Sequence, residues 1–442
     1  MKKKISLLLA GLGLAASAAN AADLLSAYRD ASAHDAQFAA ARASLDAGRE
    51  KLPQGRSGLL PTIGVGASTT WNDTESTSRT APPVTTQREY NSHGWSATLT
   101  QPLFRWQNWA AYKQGQYSVA VAEAQFAAAR QDLIVRVSQA YFDVLLAQET
   151  VTTAAAQKTA ITQQLESAKR NFEVGTSTIT DTHEAQARYD LAVATEIAAQ
   201  SDLTVKRQVL QTLIGKDPEF LKALRRGAQI SRPQPDDMMK WAETAETANL
   251  SVAQAQAALE IADQEVAKQR AGHLPTLDAV ATYGESAAGF STTGTGSGYD
   301  AKAKTIGLQL TVPIFAGGGV MSRDREAVAL REKALADLDN ARRQAALGAR
   351  QAYLGVSSGL SQVKAFEAAV ASSQSALDSN KVGYDVGVRI NIDVLNAQSQ
   401  LFDTRQKLSK ARFDTLLAQL KLKQAAGNLT EDDLVAINAL LE

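Results

Sequence analysis

The chain has 442 residues, with 46 Lys plus Arg and 46 Asp plus Glu, so its formal net charge is zero. This balance gives no electrostatic attraction to nucleic acid. Hydrophobic residues make up 45% of the chain and aromatic residues only 6%, which favours long, closely packed helices over a bulky compact core. The chain has no cysteine, which excludes disulfides, thiolate metal sites and a cysteine nucleophile.

The first residues have the pattern of a secretory signal peptide. Three lysines precede an apolar run from Ile5 to Ala16, and small residues end at Ala21. This pattern predicts a signal peptide over residues 1–21. The apolar run is too short for a membrane anchor, and no later segment has about 18 consecutive apolar residues. We therefore expect an exported protein that is either soluble outside the inner membrane or a β-barrel.

Four sequence landmarks occur twice along the chain, at a near-constant offset of 211 to 214 residues. The pairs are LLPT (59–62) with HLPT (273–276), LTQPLF (99–104) with LTVPIF (310–315), QAYFDV (139–144) with QAYLGV (351–356), and FEVGTSTITDTHEAQ (172–186) with YDVGVRINIDVLNAQ (384–398). A near-constant offset over four separate landmarks indicates a tandem internal duplication.

Each predicted repeat has the same order of elements. In the first repeat, 22–227, these are a helix over about 23–52, a β-hairpin over about 62–104, a long helix over 105–172 and a helix over 181–215. In the second repeat, 237–427, these are a helix over about 237–271, a β-hairpin over about 276–315, a long helix over 319–383 and a helix over 393–426. Residues 228–236 form a linker, and residues 428–442 form a C-terminal tail.

The long helices are the most unusual predicted elements. Each runs for about 65 residues without an internal proline, which at ~1.5 Å per residue is roughly 100 Å. A helix of that length must bridge a distance. The last helix has a heptad seam of apolar and small residues, typical of a coiled coil. The seam residues are Val394, Ala397, Leu401, Thr404, Leu408, Ala411, Thr415, Ala418, Leu422 and Ala425. The alternative is an amphipathic helix on a globular core, but duplication and length favour the coiled coil.

Period-2 alternation marks four strands of about ten residues, each with one apolar and one small or polar face, as in transmembrane β-strands. Polar loops are predicted over about 72–93 and 284–304, with a composition that suits extracellular loops. Aromatic residues stand where an aromatic belt is expected: Trp71, Tyr90, Trp95, Tyr283, Trp106, Trp109 and Tyr112. The alternative is a half-buried sheet in a soluble domain, but four such strands beside a signal peptide favour the membrane.

Four strands cannot close a barrel, and an open edge in hydrocarbon would leave backbone groups unsatisfied. The barrel must therefore be shared between protomers. Two chains would give eight strands and a barrel filled by its own side chains, whereas three would give twelve strands and a lumen. Small residues on the inner face, such as Gly64, Gly66 and Ser68, favour an open pore and hence three or more chains.

Several motifs now point to a known family. In GHLPTLD (272–278), QPLF and VPIF at the hairpin ends, AYFDVL (140–145) and YDVGVRINIDVLNAQ, the chain resembles the TolC-type outer membrane factors over nearly all of the mature sequence. The resemblance implies a mainly α fold with a β-barrel portion. The channel-tunnel would be a homotrimer, with four β-strands per protomer in a shared twelve-stranded barrel and long periplasmic coiled-coil helices below it. The linker and the C-terminal tail would lie in an equatorial region.

The resemblance also implies the function. The protein would be an outer membrane channel extending into the periplasm, a passive exit duct for drugs or for polypeptides of type I secretion. Its implied partners are two further copies of itself, a periplasmic membrane-fusion adaptor, an inner-membrane transporter of the RND, ABC or MFS type, and outer membrane lipid. The alternative is a periplasmic coiled-coil structural or adaptor protein without a pore.

The two V-G interruptions of the long helices are predicted to be hairpin turns at the periplasmic tip. Gly175 and Gly387 fit helix C-terminal glycines with positive φ. Asp181 and Asp393 fit the start of the next helix, where a carboxylate is favoured by the helix dipole. This pattern accounts for the spacing of Gly and Asp but not for Tyr384 or Arg389.

By resemblance, Thr180, Asp181, Tyr384 and Arg389 match the family positions that link neighbouring coiled coils and hold the tip closed. Asp393 matches an aspartate of the pore constriction. Asn396 stands where the best-known member has a second acidic residue, so the resemblance implies a constriction with half the charge and weaker cation selectivity.

No motif indicates an enzyme. The histidines His34, His93, His183 and His273 are scattered and lack metal-ligand spacing, and no P-loop, G-x-S-x-G or G-x-G-x-x-G signature occurs. We therefore expect no catalytic residue, cofactor or metal, and the energy for transport would come from a partner.

Overall fold

Long helices and one antiparallel sheet form the part of the chain that this computed structural model describes, residues 23–218, 220–225, 227–290 and 297–442. The predicted signal peptide lies outside the described residues. The chain divides into two units. The first has Met1–Ala39, Ala129–Ala245 and Leu347–Glu442, and the second has Ala40–Ala128 and Glu246–Ala346.

The second unit contains the sheet, whose strands are in the order β1-β2-β3-β4 with every neighbouring pair antiparallel. The strands are β1 (Thr62–Thr77), β2 (Thr85–Phe104), β3 (Thr276–Ala288) and β4 (Tyr299–Thr311). A register shift between Pro102 and Phe104 interrupts the pairing of β2 with β3. Proline has no N–H to give to the ladder, so such an irregularity is expected there.

The predicted loops over 72–93 and 284–304 were wrong in extent. Strands β1 and β2 remain paired up to Thr77 and Thr85, and β3 and β4 up to Ala288 and Tyr299. Residues 291–296 of the second loop lie outside the described residues. Towards the loop ends of the strands, apolar and polar residues no longer alternate, although the backbone hydrogen bonds between the strands continue. Polar cross-strand bonds support this pairing there, including Asn72 Nδ2 to Ser92 Oγ at 2.9 Å.

The single helices predicted over 23–52 and 237–271 were also wrong, because each is broken. The first becomes α1 (Leu24–His34), α2 (Ala36–Arg49) and α3 (Lys51–Ser57), and the second becomes α6 (Met238–Ala248) and α7 (Leu250–Arg270). At the first break Asp35 is extended and its Oδ1 accepts a hydrogen bond from the Phe38 N–H at 2.6 Å. At the break between α6 and α7, Asn249 Oδ1 accepts a hydrogen bond from the Ser251 N–H at 2.8 Å. Short polar side chains that cap the backbone compete with helix continuation.

The long helices are α4 (Trp106–Glu173, 68 residues) and α8 (Gly319–Asp385, 67 residues), followed by α5 (Ile179–Ile214) and α9 (Asn391–Ala425). A short α10 (Glu431–Asn438) lies in the C-terminal tail. None of the ten predicted seam residues of α9 is exposed, which confirms their packing role. None of the described helices has an apolar stretch long enough to cross a membrane.

The first unit is held together by helix packing and by polar side chains that fasten its irregular segments. Phe142 of α4 stacks on Phe413 of α9, with ring centroids 5.7 Å apart. The predicted linker accepts hydrogen bonds from two helices, at Ser231 and at its last residue, Asp236. Gln419 Nε2 donates to the Ser231 carbonyl at 2.6 Å, and Tyr353 Oη donates to Asp236 Oδ1 at 2.6 Å. The linker is therefore fixed against α8 and α9.

Candidate functional site

Two helix–turn–helix connections of the first unit have matching backbone geometry. Just beyond the end of α4, Gly175 has a φ of 76°, and just beyond the end of α8, Gly387 has a φ of 77°. These values suit glycine because it has no Cβ. After each glycine, the next N–H reaches back to a carbonyl five residues earlier, Thr176 to Asn171 and Val388 to Gly383, both at 2.8 Å. This is the Schellman arrangement, which satisfies the last carbonyls of a helix.

The helices that follow the two turns begin differently. Before α5, Thr178 and Asp181 form a capping box, in which Asp181 Oδ2 accepts from the Thr178 N–H at 3.0 Å. At the matching position before α9 stands Ile390, whose side chain cannot cap the helix. The carboxylate of Asp393 is therefore not used by a capping box. It lies 3.5 Å from Nη1 of Arg389 instead, with side chains 34% and 58% exposed.

Tyr384 connects the two turns. Its ring packs against the cluster of Leu377, Val394 and Leu401 between α8 and α9. Its hydroxyl accepts a hydrogen bond from Nδ2 of Asn171, near the end of α4, at 3.0 Å. The side chain thus belongs to one helical hairpin and bonds to the other.

A second polar pair joins α5 to α9. Nη2 of Arg188 donates to Oδ1 of Asn396 at 2.9 Å, and both groups are exposed. A neighbouring pair is more buried: Gln164 of α4 donates to Oδ1 of Asn391, which is only 3% exposed. The positive charge of Arg188 therefore lies beside Asn396, which is predicted to lie at the pore constriction.

The structure does not unite the four predicted latch residues within one chain. Asp181 serves the capping box, Tyr384 bonds to Asn171, and Arg389 pairs with Asp393. Thr180 is exposed. Among the described residues, no hydrogen bond or ion pair joins Tyr384 or Arg389 to Thr180 or Asp181. The latch therefore remains a prediction, and it concerns contacts between copies of the chain.

Sequence reasoning missed two residues of this site, Asn171 and Arg188. Arg188 could have been found, because it follows Asp181 by seven residues and so lies on the same face of α5 two turns later. Asn171 had no such signal, since its counterpart 212 residues later is Gly383. Its role depends on how the two hairpins pack.

The chemistry of the site is reversible ion pairing and hydrogen bonding. Its charged pairs are half-exposed, so each stabilises a conformation by only about 0–1 kcal/mol. Among the described residues, no group of three His, Cys, Asp or Glu side chains could hold a metal ion.

Comparisons with known proteins identify the family. The family model described as "Outer membrane efflux protein" matches residues 27–216 and 241–428. The chain belongs to the outer membrane efflux protein family. It is 34% identical over 446 residues to outer membrane protein TolC of Vibrio cholerae, with 100% of this chain and 99% of that protein covered. It is also 34% identical to the alkaline protease secretion protein AprF of Pseudomonas aeruginosa, with 94% of this chain and 86% of that protein covered.

The fold is shared with solved outer membrane channels. The CmeC outer membrane channel of Campylobacter jejuni matches with a TM-score of 0.77 at 16% identity, over 94% of this chain and 89% of that chain. Members of the outer membrane efflux protein family are not enzymes. The chain is thus an outer membrane channel for efflux or secretion that extends into the periplasm. TolC-like channels are trimeric and work with efflux or secretion systems.

Proposed function

We propose that this chain forms a homotrimer whose shared twelve-stranded barrel and helical tunnel give a passive duct across the periplasm and the outer membrane. The observation that carries this proposal is the four-stranded sheet, in which β1 and β4 each have one edge without a partner strand among the described residues. Both strands expose large apolar side chains, including Val65 and Ile306, 72% and 89% exposed. Such edges and faces need a neighbouring strand and lipid.

The duct would open at its periplasmic tip. In this proposal the turns at Gly175 and Gly387 form the tip, and Thr180, Asp181, Tyr384 and Arg389 hold neighbouring hairpins together when the channel is closed. The half-exposed Arg389–Asp393 pair at 3.5 Å supports this role. A guanidinium so weakly held can exchange one carboxylate for another when hairpins move. Three copies of Asp393 would form the charged constriction, with Asn396 one turn further along.

The partners would be a periplasmic membrane-fusion adaptor and an inner-membrane transporter of the RND, ABC or MFS type. The cargo would be drugs, secreted polypeptides or both. Relatives with either kind of name support this range, since AprF is an alkaline protease secretion protein and BepC of Brucella suis is an outer membrane efflux protein. The two repeats, 22–227 and 237–427, would each supply one β-hairpin and one helical hairpin to every protomer.

Three measurements test the proposal. The mass of the detergent-extracted protein should be that of three chains, and reconstitution in planar bilayers should give discrete conductance steps. A deletion strain should become sensitive to drugs or lose a secreted polypeptide, and the intact gene should restore the phenotype. A monomer that is released from membranes by salt alone and gives no conductance would refute the duct.

A further inference from the structure

The free edges of the sheet carry opposite charges at the same end. On β1, the apolar face of Ile63 and Val65 continues through Trp71 to Asp73, with Glu75 beyond it. On β4, the same face runs from Leu308 and Ile306 to Lys304 and Lys302. Directly opposed residues in the three paired ladders share a face, so both sets lie on one side of the sheet.

Each charged group on the β4 edge is accessible. Nζ of Lys302 lies 3.0 Å from Glu285 on β3, yet the lysine side chain is 74% exposed. Nζ of Lys304 lies 5.4 Å from the ring centroid of Tyr283, which itself makes an edge contact with Trp95. The β4 edge therefore ends in an aromatic and cationic cluster, and the β1 edge ends in Trp71 and two carboxylates.

The pairing within the sheet shows which way neighbouring rows shift. One row of opposed residues runs from Ile63 through Leu99 and Ala281 to Ile306. Ile63 is the first residue of the apolar face on β1, whereas Leu308 and Leu310 still lie below Ile306 on β4. From β1 to β4, the opposed residues of this row therefore shift from the first residues of the apolar face towards the residues next to the charged end of the strands. Tilted strands in a barrel show such a shift.

We propose that β4 of one copy pairs antiparallel with β1 of the next in the register that sets Ile306 opposite Thr69. This inference rests on the homotrimer proposed above. Because every neighbouring pair in the order β1-β2-β3-β4 is antiparallel, β1 and β4 run in opposite directions and their free edges meet as an antiparallel pair. The register sets Lys304 opposite Trp71, a cation–π arrangement. It also sets Lys302 opposite Asp73, so that the two side chains form an ion pair next to the apolar face.

Strand tilt and charge together select this register over its neighbours. In this register, a row of opposed residues that starts at Ile63 on β1 of one copy reaches Thr69 on β1 of the next copy. The shift is six residues per copy. With twelve strands about 4.7 Å apart and about 3.3 Å per residue, this corresponds to a tilt of about 45°.

A register moved by two residues towards a smaller shift per copy has a tilt of about 35°, but it sets Asp300 opposite Asp73 and leaves neither lysine opposite a carboxylate. A register moved by two residues the other way would set Lys304 opposite Asp73, but it needs a tilt of about 55°, outside the range of transmembrane barrels. In the chosen register Asp300 faces Glu75 beyond the apolar band, where water makes such repulsion small.

Cysteine cross-linking tests the register without background, because the chain has no cysteine. The paired variants are Ala67→Cys with Leu308→Cys on one face and Ser68→Cys with Gly307→Cys on the other. Directly opposed Cβ atoms lie about 4.5–5.5 Å apart and diagonal ones about 7–8 Å, so oxidation discriminates between registers. We expect covalent dimers and trimers on non-reducing gels for both pairs, and their loss after reduction.

Register controls combine Ala67→Cys with Ile306→Cys or with Leu310→Cys, which are diagonal in the proposed pairing. Preferential cross-linking of either control would overturn the register. The same samples are measured for mass in detergent before oxidation. A trimer that cross-links only in a control pair refutes the register and leaves the homotrimer intact. A monomeric mass refutes the homotrimer itself.

Discussion

Arg389 and Asp393 are one helical turn apart, and their guanidinium Nη1 and carboxylate Oδ2 are separated by 3.5 Å. The corresponding position of the first turn is Ser177, and the corresponding aspartate, Asp181, is held in a capping box. Only the second turn therefore couples a residue proposed for the gate to one proposed for the constriction. In the proposed gate, movement of Arg389 to another carboxylate would release Asp393 to face the pore with its full charge.

Arg389→Gln should raise the closed-state conductance of the channel in planar bilayers. If the arginine stabilises the closed tip by about 1 kcal/mol, its loss raises the open population about fivefold. A matched control is Arg405→Gln, which removes an exposed arginine of α9 that bonds to Gln374 at 3.0 Å. Unchanged conductance in Arg389→Gln, or an equal rise in the control, would remove Arg389 from the gate.

Tyr384→Phe and Asn171→Ala should each loosen the contact between the two helical hairpins. Each removes the 3.0 Å hydrogen bond while leaving the ring or the backbone in place, at a cost of about 1 kcal/mol. Conductance should therefore rise in both variants, and the double variant should resemble either single one. Additive effects in this double-mutant cycle would show that the two side chains act independently.

Much of this architecture could be predicted from the sequence, because its signals are local and repeated. The turns follow from Gly and Asp at fixed spacing, and the α9 seam from its heptad pattern. The break at Asp35 was missed, since a capping side chain inside an otherwise helical pattern is recognised only from its contacts. The full length of β1 was missed because polar residues beyond Asn72 carry no apolar alternation.

The partners of the site residues could not be predicted for a different reason. Asn171 and Tyr384 are 213 positions apart in sequence, and Arg188 and Asn396 are 208 apart. Neither pair follows from the repeat offset or from helical periodicity. Both depend on how one helical hairpin packs on the other, which is set by buried residues such as Leu395.

Asn396→Asp should make the channel more cation-selective, measured as the reversal potential in a salt gradient. A carboxylate at this position adds negative charge near the proposed Asp393 ring, and such rings favour cations. Arg188 lies 2.9 Å away and will neutralise part of the new charge. The shift should therefore be larger when Asn396→Asp is combined with Arg188→Gln. An identical reversal potential in the wild type, in Asn396→Asp and in the double variant would place position 396 away from the ion path.

Asp35→Asn should lower the stability of the first unit and change its dependence on pH. The carboxylate forms a bidentate pair with Arg136, at 2.8 and 3.3 Å, and this bonding holds the pKa of Asp35 below its usual value. A carboxyl whose pKa is depressed by folding stabilises the fold above its unfolded pKa of about 4, and this stabilisation is lost as pH falls through the folded pKa. Asparagine still caps α2, so the variant isolates the charge pair.

Thermal unfolding in detergent, followed by circular dichroism, would test this prediction. At neutral pH we expect Asp35→Asn to cost about 1–2 kcal/mol and Asp35→Ala somewhat more, because alanine also removes the cap. As pH falls below about 4, the unfolded pKa of aspartate, and on through the lower folded pKa of Asp35, the wild type should lose its advantage over Asp35→Asn. A constant difference across that range would mean that the ion pair does not contribute.

Arg105→Leu should destabilise the second unit strongly. Arg105 follows β2 and makes two parallel hydrogen bonds to Asp278 of β3, at 2.7 and 2.5 Å, and the Asp278 side chain is only 7% exposed. Removing the arginine leaves a buried carboxylate without its partner, at a cost of about 3–5 kcal/mol. Arg105→Lys should recover only part of this, since an ammonium cannot make the bidentate bond.

The matched control is Arg270→Leu, which removes a 3.0 Å pair with Asp324 whose arginine side chain is 62% exposed. A pair so exposed is worth at most about 1 kcal/mol. The readout is the temperature at which the oligomer dissociates on SDS gels. Because the Arg105 pair joins the end of the first β-hairpin to the second hairpin, its loss should lower this temperature well below that of the control. Equal temperatures for the two leucine variants would show that the hairpins are held together by their backbone ladder alone.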